Sequence, residues 1–151
     1  MMEIKMTAGR LCARSVDVAA PGDSVQTAAR RMSDRNVGTL VVVDTRQKPV
    51  GMLTDRDLTL RVLAQGRDPL ETTVRDVMTA DPETVTETTP IEDALRVMRN
   101  ASCRRIPIVD LEGRLQGLLS LDDVLDRISS EFTSIGKLLR QETPQSMVER
   151  D

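Results

Sequence analysis

The stretch that decides the fold occurs twice, as GMLTDRD at residues 51–57 and as GLLSLDD at residues 117–123. In both, a glycine is followed by two apolar residues, a hydroxyl residue, two variable positions and an aspartate. A shift of 66 positions superposes them and aligns residues 25–63 with residues 91–129 without a gap. Nine of the 39 aligned pairs are identical, and most others agree in character. The chain is therefore a tandem duplication, and we expect its two copies to bury their apolar faces against each other about a pseudo-twofold axis.

Each copy predicts a β-α-β-β-α unit. In the first copy, apolar residues recur with helical spacing over residues 25–36. Two short apolar runs follow at residues 39–43 and 49–53, joined by a polar turn, which is typical of two hairpin-connected strands. A second helix is predicted over residues 55–66, with a glycine as its C-terminal stop. Each unit also begins with a short strand, expected near residues 16–18 and 84–86.

These elements predict a mixed α/β fold made of two packed repeats and a long C-terminal helix. The chain has 151 residues, of which 39% are hydrophobic and 30% charged, so it is long and apolar enough to bury a core. The predicted boundaries are residues 8–66 for the first repeat, 67–73 for a linker, 74–130 for the second repeat and 131–151 for a helical extension and tail.

The last helix of the second copy is predicted to continue beyond the duplicated unit. Six large apolar residues follow one another at steps of 4, 3, 4, 3 and 4, which is the heptad pattern of a coiled-coil stripe. One alternative is that the whole stripe packs on the core of its own chain. The first half of the stripe is expected to pack there, but the part beyond Ser130 has no internal equivalent to cover it, so a partner helix is the simpler cover and a homodimer is predicted. The stripe consists of Leu121, Leu125, Ile128, Phe132, Ile135 and Leu139.

The residues that the chain lacks exclude several kinds of function. It contains no His, Trp or Tyr and a single Phe, which excludes histidine catalysis and histidine metal sites. The scarcity of aromatic rings and the net charge of −3 argue against nucleic-acid binding. The two cysteines, Cys12 and Cys103, form no CxxC pair, and the longest apolar runs are too short to span a bilayer. We therefore expect a cytoplasmic protein with reduced thiols, no membrane partner and no enzyme activity.

The repeated motif places a hydroxyl residue and an aspartate at the start of a helix. One interpretation is a capping box, in which Thr54 or Ser120 caps the helix and Asp57 or Asp123 reaches back to it. The other interpretation is a ligand site, because a helix N-terminus offers free N–H groups and a positive dipole end to an anion. An ionised aspartate there can also accept hydrogen bonds from both hydroxyls of a ribose. The two interpretations are compatible with each other.

In these features the chain resembles a pair of cystathionine-β-synthase-type (CBS) domains. The resemblance rests on the duplicated motif, its 66-residue spacing, the IPIVD strand at residues 106–110 and the VRDVMT segment at residues 74–79, and it extends over residues 8–130. It implies a regulatory module that binds an adenosine-containing ligand, such as AMP, ATP, S-adenosylmethionine or a dinucleotide, in clefts between the repeats. It implies no required cofactor, and a change of shape transmitted to an unknown regulated protein. The alternative is a structural or interaction module whose clefts are degenerate and empty.

The resemblance also implies roles for individual residues. The two motif aspartates would hold ribose hydroxyls, and the two motif hydroxyl residues would contact ribose or phosphate. The base would lie between backbone and aliphatic groups near residues 37–39 and 103–107. The implied ligand-binding set comprises Val37, Gly38, Thr54, Arg56, Asp57, Arg104, Arg105, Ile106, Pro107, Ser120 and Asp123.

The two copies differ in charge around the motif. The second carries Arg104 and Arg105 where the first has Gly38 and Thr39, while the first carries Arg56 where the second has an aspartate. An anionic phosphate is expected to favour these arginines. The alternative is that the arginine pair is a solvated basic spot that forms ion pairs with surface carboxylates.

Overall fold

A computed structural model of the protein describes residues 6–142, with side chains as far as Gln141. Two small sheets, each with helices at its side, correspond to the two copies. The elements in chain order are α1 (Ala8–Leu11), β1 (Val18–Ala19), α2 (Val25–Arg35), β2 (Thr39–Val43), β3 (Pro49–Thr54), α3 (Asp55–Leu58), a π-helical turn (Thr59–Leu63), α4 (Val74–Val77), β4 (Thr79–Ala80), β5 (Val85–Thr86), α5 (Ile91–Ala101), β6 (Arg105–Val109), β7 (Leu115–Ser120) and α6 (Leu121–Glu142).

The two sheets repeat the same strand pairing. The first has the order β1-β2-β3-β4 and the second the order β5-β6-β7, and in each the short first strand is parallel to its neighbour while the following hairpin is antiparallel. The hairpins keep the same register, with Leu40 opposite Leu53 and Ile106 opposite Leu119. The predicted α/β fold of two repeats with a long C-terminal helix is confirmed.

The opening segment of each repeat packs on the other repeat, which the sequence did not indicate. Thr79 of β4, which follows α4, pairs with Met52 of the first repeat's hairpin. At the equivalent place, Ala13, which follows α1, pairs with Leu118 of the second repeat's hairpin. We call residues 6–13 and 74–80 the exchanged segments. Residues 8–66 are thus contiguous in sequence, but their first part completes the sheet of the second repeat.

The buried residues form two cores, and each core includes an exchanged segment. The first core combines α2, β2 and β3 with Val74 and Val77 of α4, and the second combines α5, β6 and β7 with Ala8 of α1. A direct backbone bond also links the repeats, since the N–H of Leu115 donates to the carbonyl of Gln47 at 2.8 Å. The two copies are therefore held together mainly by exchange of these segments.

The helix ends follow the sequence prediction in part. Helix α2 ends at Asn36, which adopts φ 53°, in agreement with the predicted end. The second helix was predicted as continuous over residues 55–66, but α3 gives way to the π-helical turn, which closes with a bond from the N–H of Ala64 to the carbonyl of Thr59. The predicted linker, residues 67–73, is packed rather than free, because the carbonyl of Thr72 accepts from the N–H of Val25 and the Thr72 side chain is buried.

Helix α6 is 22 residues long and leaves the core earlier than expected. Val124 is buried, but Leu125 is already 52% exposed and Phe132 is 70% exposed. The alternative in which the whole stripe packs on its own core is therefore wrong. The part of the predicted extension after Glu142 lies outside the described residues. Over residues 6–142, no helix has the length and hydropathy needed to cross a membrane.

Candidate ligand-binding site

Each repeat brings the start of a strand next to the start of a helix, and the predicted site residues lie at this junction. In the first repeat Thr39 is opposite Thr54, and the N–H of Asp55 donates to the carbonyl of Gly38 at 2.9 Å. In the second repeat Arg105 is opposite Ser120, and the N–H of Leu121 donates to the carbonyl of Arg104 at 2.8 Å. Residues that are about 16 positions apart in sequence therefore meet in the same way in both copies.

At the first junction the motif forms a complete capping box. The hydroxyl of Thr54 accepts from the N–H of Asp57 at 3.1 Å, and Asp57 Oδ2 accepts from the N–H of Thr54 at 3.0 Å. Asp57 Oδ1 lies 3.8 Å from Nε of Arg61, and the side chain of Asp57 is only 15% exposed. Both carboxylate oxygens of Asp57 are therefore engaged within the chain.

Arg61 connects this capping box to an exchanged segment. Its Nη1 donates to the carbonyl of Val77 at 3.0 Å and to that of Met78 at 3.3 Å. Met78 in turn lies close over Gly51, where an added Cβ would collide with its sulfur. In the first repeat the aspartate and arginine of the motif region thus support the packing of residues 77–78.

At the second junction only half of the capping box forms. The hydroxyl of Ser120 accepts from the N–H of Asp123 at 3.0 Å. The carboxylate of Asp123 makes no hydrogen bond or ion pair with any residue between 6 and 142, although the residue is half-buried. Arg127, the counterpart of Arg61, instead donates to Glu131 at 3.2 Å. Asp123 therefore keeps its acceptor capacity for another molecule.

The arginines near the junctions are exposed. Nη2 of Arg104 lies 3.3 Å from Oδ1 of Asp122, and both side chains are about two-thirds exposed. This contact agrees with the alternative of a solvated ion pair for Arg104. The guanidinium groups of Arg105 and Arg56 form no ion pair with the described part of the chain. Each junction thus has one arginine, Arg56 in the first and Arg105 in the second, whose guanidinium group is not paired within the described residues.

An exchanged segment also borders the second junction. A Cβ added to Gly117 would meet the sulfur of Cys12 at 2.7 Å. Burial raises the pKa of the Cys12 thiol; the Arg14 cation opposes this rise, and the carboxylates of Glu87 and Asp123 add to it. Burial also raises the pKa of Cys103, with a further contribution from Glu83. The N-terminal exchanged segment lies against the second repeat here, since α1 contacts both β7 and α6.

The predicted base-contacting residues are largely buried. Ile106 and Pro107 are fully buried, and Val37 is half-buried against the first core. An added Cβ at Gly38 would lie 2.9 Å from a carboxylate oxygen of Asp55, so this position is closely packed. The buried side chains of Ile106 and Pro107 leave mainly backbone atoms of this strand for contact with a ligand.

Two concave surfaces are lined by none of the predicted site residues. A cleft of about 700 Å³ follows the far end of β2, and its two arginines are already paired, with Arg35 2.9 Å from Asp17 and Arg31 3.5 Å from Asp23. A groove of about 380 Å³ lies between α2 and the π-helical turn. The sequence did not indicate either surface. The residues from 6 to 142 contain no cluster of three or more Cys, Asp or Glu side chains suited to a metal ion.

Proteins from other organisms share sequence similarity with most of this chain. MK0525, an uncharacterized protein from Methanopyrus kandleri, is 32% identical over 120 residues, which make up 80% of this chain and 61% of the relative. The inosine-5′-monophosphate dehydrogenase of Methanocaldococcus jannaschii is 35% identical over 114 residues, or 76% of this chain and 22% of that enzyme. The chain therefore spans less than two thirds of both relatives.

A solved structure shows the same architecture. The crystal structure of the CBS domain pair of protein MJ0100, in complex with 5′-methylthioadenosine and S-adenosyl-L-methionine, has a TM-score of 0.75, with 84% of this chain and 98% of that chain covered at 23% identity. At that identity the likeness concerns the fold. The sequence profile of the CBS domain matches residues 8–64 and again residues 74–130. Because both repeats match over most of its length, the chain belongs to the CBS domain family.

Proposed function

We propose that this chain is a non-enzymatic regulatory module that binds one adenosine-containing ligand at the second junction and transmits its binding to a partner protein. The observation that carries the proposal is the carboxylate of Asp123, which is half-buried beside a helix N-terminus and has no partner within residues 6–142. A carboxylate accepts hydrogen bonds without donating any, so it is suited to the two hydroxyls of a ribose.

The surroundings of Asp123 also suit a phosphate. The first turn of α6 directs its N–H groups and the positive end of its dipole towards an anion. Arg105 begins the strand opposite Ser120 and has an uncommitted guanidinium group. Arg104 could join it, because its ion pair with Asp122 is exposed and such pairs contribute only about 0–1 kcal/mol. Ribose and phosphate recognition together favour a nucleotide over a free nucleoside.

The first junction supports a different role. A ribose at Asp57 would have to replace its bond from the N–H of Thr54 and its contact with Arg61. Losing such bonds would weaken the capping box and the packing of residues 77–78. The alternative of an empty cleft therefore fits the first repeat, and we expect one ligand per chain. That MJ0100 binds two adenosine compounds supports this ligand class for the fold.

The exchanged segment offers a route for the signal. Helix α1 contacts α6, whose first turn carries Asp123, and it packs on the second core through Ala8. A ligand that engages Asp123 would also contact or displace this segment. Binding at one repeat would thereby alter how the N-terminus of the other repeat is held.

The test is titration calorimetry of the full chain with AMP and with adenosine. We expect one AMP per chain, and we expect Asp123→Ala to weaken AMP binding about tenfold to a hundredfold, the effect of losing a charge-assisted hydrogen bond of ~1.5–3 kcal/mol. Asp126→Ala is the matched control, since this residue lies one turn further along α6 and outside the motif. The Asp126→Ala variant is expected to bind AMP with the same affinity as the unaltered chain.

A second variant separates the phosphate contact from the ribose contact. Arg105→Ala is expected to weaken AMP more than adenosine, because a guanidinium group contributes through the phosphate. Equal losses for both compounds would remove the phosphate role of Arg105. Loss of binding in Asp57→Ala with unchanged binding in Asp123→Ala would transfer the site to the first repeat. If no adenosine compound binds at all, the interaction-module alternative is favoured.

A further inference from the structure

The groove between α2 and the π-helical turn is a second concave site in the first repeat. The buried side chains of Val25 and Val62 line it, and the exposed Ala29 of α2 lines it as well. Its volume is about 380 Å³. Sites for small molecules generally have volumes of about 300–1,000 Å³ and are mostly apolar. The groove therefore has the size and the lining of a ligand site.

The chain that follows the π-helical turn completes the groove. Gly66 adopts φ 67°, a backbone conformation that glycine reaches at little cost. The next residues return to the start of α2, where the carbonyl of Pro69 accepts from the N–H of Gln26 at 3.2 Å. All three residues line the groove. In the second repeat α6 continues as a regular helix, so this backbone geometry belongs to the first repeat, and π-helical turns occur frequently at functional sites.

The segment that forms the groove also exposes three leucines. Outside α6, four large hydrophobic residues within residues 6–142 are exposed, and Leu60, Leu63 and Leu70 are three of them. Leu63 is 77% exposed and lines the groove. At the positions of the second repeat that correspond to Leu60 and Leu63, the chain has Asp126 and Ser129. The repeated fold therefore does not require apolar side chains here, and their exposure indicates an interaction site.

One cation accompanies the apolar lining of the groove. Within residues 6–142, Arg67 is the one charged residue that lines it, and the guanidinium group of Arg67 forms no hydrogen bond or ion pair there. Arg67 also lines an adjoining depression of about 480 Å³, which further includes Arg61, Gln65 and Asp76. The groove thus combines apolar side chains with an arginine that has no partner among the described residues.

The charges around this depression favour an anion. Nη2 of Arg61 has no hydrogen bond within residues 6–142, since the contacts of this side chain use Nη1 and Nε. Asp76 opposes an anion, but it accepts from the N–H of Thr73 at 3.1 Å, and Arg67 and Arg75 add to this bond in lowering its pKa. Three arginines, at 61, 67 and 75, stand against the aspartates at 57 and 76, a net charge of +1. Arginine binds carboxylates and phosphates through paired hydrogen bonds.

We propose that this groove binds an amphiphilic anion, namely a single alkyl or acyl chain that ends in a carboxylate or a phosphate. The chain of the ligand lies against Val25, Ala29 and Val62, and its anionic head binds Arg67. An uncharged or cationic amphiphile of the same length lacks the contact with Arg67 and binds more weakly. The site lies in the first repeat and does not depend on the adenosine ligand proposed for the second.

The first experiment titrates the isotope-labelled full chain with four octyl compounds and follows the amide chemical shifts by NMR. The compounds are octanoate, octyl phosphate, octanol and octyltrimethylammonium, each kept below the concentration at which it forms micelles. We expect both anions to produce saturable shifts at residues 25–29 and 58–67. The cation is expected to bind about tenfold more weakly, because Arg67 repels it. The anion that binds more tightly identifies the head group as carboxylate or phosphate.

The second experiment separates the contact with the head from the contact with the chain of the ligand. Arg67→Ala is expected to weaken octanoate binding about tenfold and to leave octanol binding unchanged, because octanol has no charge. Arg46→Ala is the matched control, since this exposed arginine lies on the turn between β2 and β3 and does not line the groove. The Arg46→Ala variant is expected to bind octanoate as the unaltered chain does.

A third variant tests the apolar contact. Leu63→Ser is expected to weaken octanoate and octanol by the same factor, because both compounds have the same apolar chain. Leu111→Ser is the matched control, since Leu111 is 96% exposed on a turn outside the groove, and it is expected to leave both affinities unchanged. Both leucines are exposed, so each variant is expected to fold, and its amide spectrum verifies this.

Saturable binding of an anion at the groove that depends on both Arg67 and Leu63 supports the proposal. The absence of saturable shifts with both anions overturns it and leaves the groove to an apolar segment of another protein. Equal affinities for the anions and the cation also overturn it, as do shifts confined to α6, which indicate adsorption to the apolar stripe of that helix. The titrations contain no adenosine compound, so this proposal and the proposed function can fail separately.

Discussion

The two junctions have almost the same motif and different chemistry. Asp57 and Asp123 occupy equivalent positions, as do Arg61 and Arg127. In the first repeat Arg61 forms an ion pair with Asp57. In the second, Arg127 pairs with Glu131, and the carboxylate of Asp123 is left without a partner among the described residues. The same motif can therefore be a structural cap in one repeat and a candidate ligand site in the other.

The cause of the difference lies outside the motif. Glu131 aligns with Gln65, which carries no charge to attract the arginine of the first repeat. The chain also turns at Thr59–Leu63 in the first repeat, while α6 continues as a regular helix in the second. Arg61 is thereby left to contact Val77 and Met78. The residue at position 65 or 131 and the path of the helix after the motif thus decide what Arg61 and Arg127 bind.

The largest expected effect concerns the first glycine of each motif, which lies against an exchanged segment in both repeats. Gly51→Ala and Gly117→Ala would each press a Cβ against an exchanged segment, 3.1 Å from the carbonyl oxygen of Thr79 and 3.0 Å from that of Ala13. We expect each to lower the free energy of unfolding by about 1–3 kcal/mol, measured by urea denaturation. Gly22→Ala is the control, since nothing lies within 4 Å of its added Cβ. A neutral result in one repeat would show that its exchanged segment is loosely held.

An effect of intermediate size is expected when the two motif aspartates are replaced, because their variants should differ in the free energy of unfolding. Asp57→Ala removes half of a capping box and the contact with Arg61, and we expect a loss of about 1–2 kcal/mol in the free energy of unfolding. Asp123→Ala removes no bond of its carboxylate within the described residues, so a change within about 0.5 kcal/mol is expected. Urea denaturation without ligand measures both. Equal losses would contradict the structural difference between the junctions.

The smallest effect concerns the thiol beside Asp123. The negative charge of Asp123 helps to raise the pKa of Cys12, so Asp123→Asn is expected to lower that pKa and to speed alkylation of Cys12 at a fixed pH below it. Cys103 serves as the control in the same molecule, because Asp123 is not among the groups that raise its pKa. Alkylation rates against pH, resolved by mass spectrometry, measure both thiols. An unchanged pKa of Cys12 would separate the exchanged segment from the candidate site.

The sequence was sufficient to predict the units of the fold, because most local patterns agree with the structure; the helix predicted over residues 55–66 is the exception, since it changes to a π-helical turn after Leu58. The helical spacing before Asn36 and the paired apolar runs that follow it form α2 and the hairpin. Periodicity of this kind reports which face of an element is buried. It does not report which other element covers that face, so the exchange of residues 6–13 and 74–80 could not be predicted.

The sequence indicated which residues belong to the candidate site, but it did not indicate which of them are buried or hydrogen-bonded within the chain. The motif places Thr54 and Asp57 on a helix N-terminus, and its spacing predicts a capping box, which forms fully in the first repeat and by half in the second. Whether Ile106 and Pro107 face a ligand or the interior depends on burial of both faces of β6, which a short apolar strand does not reveal. Their side chains prove to be buried.

What the sequence by itself determined is the duplication, the two β-α-β-β-α units, the helix starts and the apolar stripe of α6. The duplication is read by aligning the chain with itself, and the other features depend on residues that are close together along the chain. Only the tertiary structure decided that Asp57 is engaged and Asp123 is open. That difference depends on the path of the chain after each motif and on the groups that this path brings to the arginine, which are the carbonyl of Val77 for Arg61 and Glu131 for Arg127. Two identical residues in one repeated motif therefore differ in their contacts because the chain continues differently beside them.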